Sequence, residues 1–155
     1  MSTQPVQPQT YTIREAAKLT GLAGSNLRYY ETIGLIPPVN RDGSSKYRVY
    51  SEADIDYIVS IACLSATGMS IDDMKAYLSN VDKGEIAAGE QIRLLDSQNL
   101  KLVEEERNLK LRQKYLTTKA EYWKAVVAKD MQLALEISAK AVVIAKQVKL
   151  SQSTH

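Results

Sequence analysis

Arginine, lysine and tyrosine side chains are concentrated in two short segments near the start of the chain, residues 27–31 and 46–50. Guanidinium, ammonium and phenol groups are suitable donors to phosphate oxygens, and arginine can also bind a guanine edge. The segment from Arg14 to Arg48 contains six basic and three acidic residues, whereas Glu52 to Asp73 contains five acids and no base. This distribution predicts a surface for duplex DNA better than a cleft for a small molecule.

Bulk composition narrows the function without deciding it. The chain has 155 residues, a net charge of +2 and one cysteine, so an intrachain disulfide is excluded and no zinc-spaced Cys/His cluster exists. The one histidine, His155, is the last residue. No apolar run approaches the roughly 18 residues that span a bilayer. Residues 1–10 lack the features of a signal peptide, so we expect a disordered polar leader and a cytoplasmic protein.

A helix-turn-helix is predicted at about residues 13–32. The first helix has apolar residues at helical spacing after Thr12, a plausible N-cap, and ends near Gly21, which can adopt a positive φ. The second helix runs from about Gly24 to Ile33 and stops at Gly34. The motif is short enough for its two helices to pack against each other.

A hairpin, or wing, is predicted at about residues 38–50, with segments 39–41 and 47–50 paired around the turn 42–45. Ser51 and Ser70 each begin a Ser-x-x-Asp pattern typical of a helix start, and these helices should reach about Thr67 and Leu78. The expected core residues are Ile13, Ala17, Leu22, Leu27, Leu35, Ile55, Ile58, Ile61, Leu64, Met74 and Leu78.

The segment 86–129 has apolar residues spaced by three and four over about five heptads, which predicts a coiled-coil helix. Such a helix would extend roughly 60 Å, too far to bury its stripe against an 80-residue domain, so it needs a second copy of itself. The predicted dimerisation residues are Ile92, Leu95, Asn99, Leu102, Leu109, Leu116 and Trp123. A final helix over residues 131–150 should fold back on the coiled coil, although one continuous helix remains an alternative.

The segment from Tyr11 to Leu78 resembles the DNA-binding domain of the MerR family of bacterial transcription regulators. The matching motifs are Tyr11-Thr12-Ile13, Ala16-Ala17-Lys18-Leu19-Thr20-Gly21, Leu27-Arg28-Tyr29-Tyr30-Glu31, Ile33-Gly34-Leu35-Ile36-Pro37-Pro38, Tyr47-Arg48-Val49-Tyr50 and Gly68-Met69-Ser70-Ile71. The predicted fold class is therefore mainly α. A winged helix-turn-helix domain at 11–80 is followed by a long dimerising antiparallel coiled-coil helix at 86–129 and a short C-terminal helix at 131–150.

The resemblance implies a homodimer that binds a palindromic promoter operator, with the second helix in the major groove and the wing along the backbone. It also implies that an effector distorts the operator DNA to realign promoter elements for RNA polymerase. The predicted DNA-binding residues are Thr12, Ser25, Asn26, Arg28, Tyr29, Arg41, Lys46, Tyr47 and Arg48. Of these, Ser25 and Asn26 are candidates for reading bases, and Thr12 with the amides behind it for holding a phosphate. Core packing is the alternative for Tyr29 and Tyr30.

One residue departs from the family pattern at the start of the second helix. The family usually has a Ser or Thr cap where this chain has Ala23, and a lost cap typically costs about 1 kcal/mol. We therefore expect the start of the second helix to be less stable, with Ser25 as a possible cap one turn later in the sequence.

The effector is not evident from the sequence, and no metal or cofactor is expected. The motif Cys63-Leu64, followed by Gly68-Met69-Ser70-Ile71, is similar to a MerR branch that responds to aldehydes and other thiol-reactive electrophiles. No Lys, Arg or His lies one turn from Cys63 to lower its pKa, so an inert, partly buried cysteine is the alternative.

Three other classes of protein are alternatives to a regulator. An enzyme is disfavoured because there is no Ser/His/Asp set, no phosphate-binding glycine loop and no histidine placed for acid–base work. An architectural or excisionase-like DNA-binding protein would use the same wing without an effector. A coiled-coil interaction protein would have lost DNA binding.

Overall fold

The computed structural model describes residues 8–152, and it is mainly helical. Its elements in order are β1 (Thr10–Tyr11), α1 (Ile13–Thr20), α2 (Gly24–Thr32), β2 (Tyr50–Ser51), α3 (Glu52–Ala66), α4 (Ile71–Asn80), a 3₁₀ turn (Val81–Lys83), α5 (Glu85–Val127) and α6 (Met131–Gln152). The chain divides into two compact units, one ending at Gln98 and one beginning at Asn99. The mainly α class with a helix-turn-helix and a long later helix is confirmed.

Side-chain caps explain where α1 and α3 begin. Thr12 accepts from the Glu15 amide at 3.3 Å, and the Glu15 carboxylate accepts from the Thr12 amide at 2.7 Å. Ser51 and Asp54 form the same reciprocal capping box. These bonds satisfy amides that the helix itself leaves without partners. Ser70 likewise accepts from the Asp73 amide at 3.1 Å at the start of α4, so the three capping predictions are confirmed.

The helix α2 begins without such a cap. Ala23 holds the N-cap position with extended backbone angles, and no side chain accepts a hydrogen bond there. The late cap by Ser25 was wrong, because α2 is already helical at Gly24 and places Ser25 inside its first turn. Tertiary packing therefore sets this helix start, since Leu27 and Tyr30 on α2 are both buried.

A short antiparallel sheet joins the start of the winged domain to the end of the wing, and this pairing was not predicted. Tyr11 pairs with Tyr50, and Thr10 pairs with Ser51. The expected disordered leader was wrong at Thr10, because the amide and carbonyl groups of β2 bind this segment; residues 1–7 lie outside the described part of the chain. The predicted hairpin does form beside this sheet, with a bridge between Arg41 and Arg48.

The core of the first unit lies between α1, α2, α3, α4 and the sheet. Leu27, Leu35, Ile55, Ile58, Ile61 and Met74 are buried as predicted, and the other five predicted residues pack against them half-buried. The core also contains residues that the sequence interpretation left out. These are Ala16, Tyr30, Ile36, Val39, Tyr50 and Met69.

The first turns of α5 belong to this unit and are tied to it by two glutamines. Gln91 donates through Nε2 to the Tyr77 carbonyl at 2.9 Å, and Gln98 donates to the Thr67 carbonyl at 2.6 Å. Both accepting carbonyls lie near the ends of helices, where a helix leaves carbonyls without internal partners. The side-chain amides therefore complete α3 and α4.

The second unit consists of the rest of α5 and the helix α6. Lys129 adopts a left-handed conformation with φ 59°, and Asp130 Oδ1 accepts from the Leu133 amide at 3.0 Å. A left-handed residue ends a helix and an aspartate cap begins the next one, so the continuous-helix alternative was wrong. The helix α6 packs back on α5 through a small cluster of Ala125, Ala134 and Ile137. Within residues 8–152, no helix has both the length and the apolar character needed to cross a membrane.

Candidate nucleic-acid interface

Five of the nine predicted DNA-binding residues line one open cavity of about 250 Å³. Thr12 comes from the start of α1, Arg28 comes from α2, and Arg41, Tyr47 and Arg48 come from the wing. The remaining lining residue is Ile13. Three guanidinium side chains and a phenol that converge from separate elements make a surface suited to phosphate oxygens.

The other four residues lie outside this cavity and are exposed. Ser25 and Asn26 occupy the first turn of α2, where a recognition helix places its base-reading side chains. Tyr29 is 51% exposed, so it does not fill the core, whereas its neighbour Tyr30 is only 9% exposed and does. The core-packing alternative thus applies to Tyr30 alone.

The tip of the wing is held by hydrogen bonds within its own turn. Asp42 Oδ1 accepts from the amides of Ser44 and Ser45 at 3.0 and 2.7 Å, and also from both hydroxyls. These bonds, led by the Ser45 amide, hold the pKa of Asp42 far below its ordinary value. Lys46 sits at φ 61° and its Nζ donates to the Gly43 carbonyl at 2.8 Å. The lysine predicted to bind DNA therefore closes the turn in this structure.

Glu31 was not predicted as a site residue, yet it joins the recognition helix to the wing. Its two carboxylate oxygens accept from Arg48 Nε at 3.1 Å and from Arg48 Nη2 at 3.3 Å. Arg41 Nη2 lies 3.8 Å from the same carboxylate. An acid at the end of a basic, aromatic segment was the available signal, although the sequence alone did not show which bases it would meet.

Thr12 lines the cavity, but its polar groups already have partners. Its amide and its hydroxyl both donate to Glu15 Oε2, at 2.7 and 2.9 Å. The hydrogen bonds from the Thr12 amide and hydroxyl lower the pKa of Glu15, so this helix start carries a carboxylate at neutral pH. A phosphate would compete with that carboxylate for the Thr12 donors.

The predicted dimerisation residues and the single thiol are also accessible. Leu109 and Leu116 are 52% and 67% exposed, and Ile92, Leu95, Leu102 and Trp123 are exposed with them. Cys63 on α3 is exposed, so it is not the partly buried filler that was the alternative. No cluster of three or more possible metal ligands occurs among the described residues.

Together, the geometry defines a winged helix-turn-helix domain of the DNA-binding class, with its basic residues gathered where the second helix meets the wing. Residues 11–81 match the model of the MerR HTH family regulatory proteins. A MerR family transcriptional regulator from Bacillus thuringiensis is 31% identical in sequence, with a TM-score of 0.55, over 70% of this chain and 98% of that chain. This protein belongs to the MerR family.

Two further relatives are similar over different parts of the chain. The HTH-type transcriptional regulator AdhR of Bacillus subtilis (strain 168) is 37% identical over 92 residues, which are 59% of this chain and 65% of AdhR. HiNmlR, a MerR family regulator lacking the sensor domain, was solved bound to promoter DNA. It is 27% identical with a TM-score of 0.66, over 83% of this chain and 96% of that chain. The chain spans between half and 65% of the length of the first curated relatives it matches.

Proposed function

We propose that this protein is a transcriptional regulator that binds a palindromic promoter operator as a homodimer. The observation that carries the proposal is the cavity where Arg28 of α2 meets Arg41 and Tyr47 of the wing. Phosphate contacts from a helix and a wing set the position of the protein on the duplex. The promoter-bound state of its structural relative HiNmlR supports the same use of the fold.

Each exposed residue of this surface has a distinct part in the proposal. Arg28, Arg41 and Tyr47 bind backbone phosphates, because their long polar side chains line the cavity between α2 and the wing. Tyr29 also binds a phosphate, because it is exposed on the same helix as Arg28. Ser25 and Asn26 bind base edges, because they occupy the first turn of an exposed helix. The architectural alternative shares the phosphate contacts but does not require the base contacts.

The proposed dimer forms along the exposed stripe of α5. In the second unit, the face of α5 that includes Thr118 and Ala125 is buried, and Ala125 contacts α6. Leu109 and Leu116 precede Leu111 and Thr118 by two positions, which places them about 200° around the helix. The helix α6 therefore leaves the leucine stripe uncovered. A second copy of α5 can cover it, and each buried leucine would contribute roughly 1.5–3 kcal/mol before ordering costs.

Selection of duplexes from a random library tests the proposal. The full chain should enrich an inverted repeat, because the two-fold axis of a homodimer requires two matching half-sites. Footprinting on the selected duplex should protect one continuous stretch. Scattered protection without a preferred sequence would instead support the architectural alternative, and no retention of duplex at all would support the coiled-coil interaction protein.

The response to an effector and the interaction with RNA polymerase at the promoter are further parts of the same proposal. We propose that effector binding distorts the operator, and that Cys63 is the group that reacts with an electrophile, since its thiol is exposed on α3. Transcription from the selected promoter should change on adding an aldehyde or diamide in wild type but not in Cys63→Ser. Equal responses in the two proteins would exclude the thiol as the sensor.

A further inference from the structure

We propose that Glu31 is a positioning residue that sets the DNA specificity of the interface by holding the wing against the recognition helix and neutralising Arg48. This inference rests on the proposed function, because specificity has meaning only if the chain prefers an operator. It also revises the expectation for Arg48, which was predicted as a simple phosphate contact.

The geometry of the pair is that of a structural clamp. Both carboxylate oxygens of Glu31 are engaged by Arg48, at 3.1 and 3.3 Å. The Arg48 and Glu31 side chains are only 20% and 16% exposed. A two-point arginine–carboxylate pair fixes orientation as well as distance, and shielding from water strengthens it. The pair joins the last turn of α2 to the returning strand of the wing.

Arg41 extends the clamp to the other strand of the wing. Its Nη2 lies 3.8 Å from Glu31, while its Nη1 donates to the Lys46 carbonyl at 3.3 Å. Arg41 and Arg48 are also directly paired across the hairpin. One carboxylate thus contacts side chains from both strands of the wing, and a shift of the wing away from α2 would break the Arg48 hydrogen bonds.

Arg28 behaves differently although it lines the same cavity. It is exposed on α2, and no carboxylate lies within ion-pair distance of it in residues 8–152. Arg28 is therefore available for a phosphate, while Arg48 is held back by Glu31. Releasing Arg48 would add a mobile cation to the DNA face, and a mobile cation binds every sequence equally.

The test compares Kd for the operator selected by the wild-type chain with Kd for a scrambled duplex of equal length and composition. Glu31→Gln should bind the scrambled duplex more tightly, while the preference for the operator falls about tenfold. The slope of log affinity against log salt should steepen by about two for a homodimer, one added phosphate contact in each protomer. The double variant Glu31→Gln/Arg48→Gln should lose the operator preference too, but with the wild-type salt slope.

Asp56→Asn is the matched control, because it removes one exposed acid from α3 outside the cavity. It should leave the operator preference unchanged. Thermal unfolding of each variant shows whether it folds. If Glu31→Gln does not fold, Arg48→Gln should lower the preference for the operator without steepening the salt dependence of binding. An unchanged preference in the folded variants would overturn the role of Glu31. A wild-type chain without sequence preference would instead refute the proposed function.

Discussion

The two units of this chain bury their apolar side chains to very different degrees. In the first unit, Leu27, Ile58 and Tyr50 are almost fully enclosed, and α1, α3 and α4 each begin with a side-chain cap. In the second unit, the cluster between α5 and α6 consists of Ala125, Ala134 and Ile137, while Leu109 and Leu116 face water. The helix-turn-helix domain of the first unit closes its core within one chain, whereas α5 leaves an apolar stripe exposed that starts at Ile92 and continues through the second unit.

This contrast predicts that the first unit determines the folding stability and that the second unit determines dimer formation. Changes in the core of the first unit should alter the free energy of unfolding, because that core closes within one chain. Changes to the stripe of the second unit should depend on protein concentration, because association is a mass-action process. The following variants test that separation.

The largest effect is expected for the double variant Leu109→Glu/Leu116→Glu. Placing carboxylates on both positions removes four leucines from the proposed dimer seam and introduces charge there, so dimerisation should weaken by at least about a hundredfold. Sedimentation should show a single subunit at micromolar concentration, and operator binding should be lost. The helical content should change little, because both positions are already exposed in one chain.

Leu100→Glu is the control for this comparison. Leu100 is 70% exposed on α5 but lies outside the stripe of Leu95, Leu102 and Leu109. It should remain a dimer. If both variants dimerise normally, the leucine stripe is not the dimer seam and the role given to the second unit is wrong.

A smaller effect is expected for Ala23→Ser in the first unit. The extended backbone at Ala23, φ −63° and ψ 146°, suits a capping serine, so the free energy of unfolding should rise by about 1 kcal/mol. Urea denaturation measures the change, and Thr12→Ala should shift it by a similar amount in the opposite direction. An unchanged or lowered stability would show that packing around Leu27 and Tyr30 already restrains this helix start fully.

Lys129→Gly should stabilise the joint of the second unit by less than about 1 kcal/mol. The left-handed conformation at φ 59° is strained for lysine and free for glycine, although glycine gains entropy in the unfolded chain. Lys124→Gly makes the same chemical change inside α5 and should destabilise by about 1 kcal/mol. Equal signs for the two variants would contradict the helix break at Lys129.

The smallest effect is a pH dependence confined to the wing turn. The pKa of Asp42 is lowered in the folded chain, chiefly by the Ser45 amide, so its hydrogen bonds persist above the ordinary aspartate pKa. Within the folded chain they also persist below that value and should be lost only as the pH falls through the lowered pKa of Asp42. The amide chemical shifts of Ser44 and Ser45 follow this titration, and Asp42→Asn should remove it. If the pH dependence of the Ser44 amide shift persists in Asp42→Asn, it reports the titration of another group.

Local patterns predicted most of the elements, because caps and apolar spacing act within a few residues. Thr12 and Ser51 were identified as caps since their partners stand three residues away. The pairing of Tyr11 with Tyr50 was missed because two-residue strands carry no periodicity. The clamp of Glu31 on Arg48 was missed for a related reason, as its partners are separated by seventeen residues and meet only after the wing folds.

Gln91 and Gln98 fix the rotation and the register of the first turns of α5. Each side-chain amide donates to one particular carbonyl, of Tyr77 or Thr67. Shifting or rotating the start of α5 by one residue would leave both amides without that acceptor. Leucines at these positions would allow the helix to pack in several registers. The polar anchors therefore determine which way Ile92 and Leu95, the first members of the stripe, point as the helix leaves the domain.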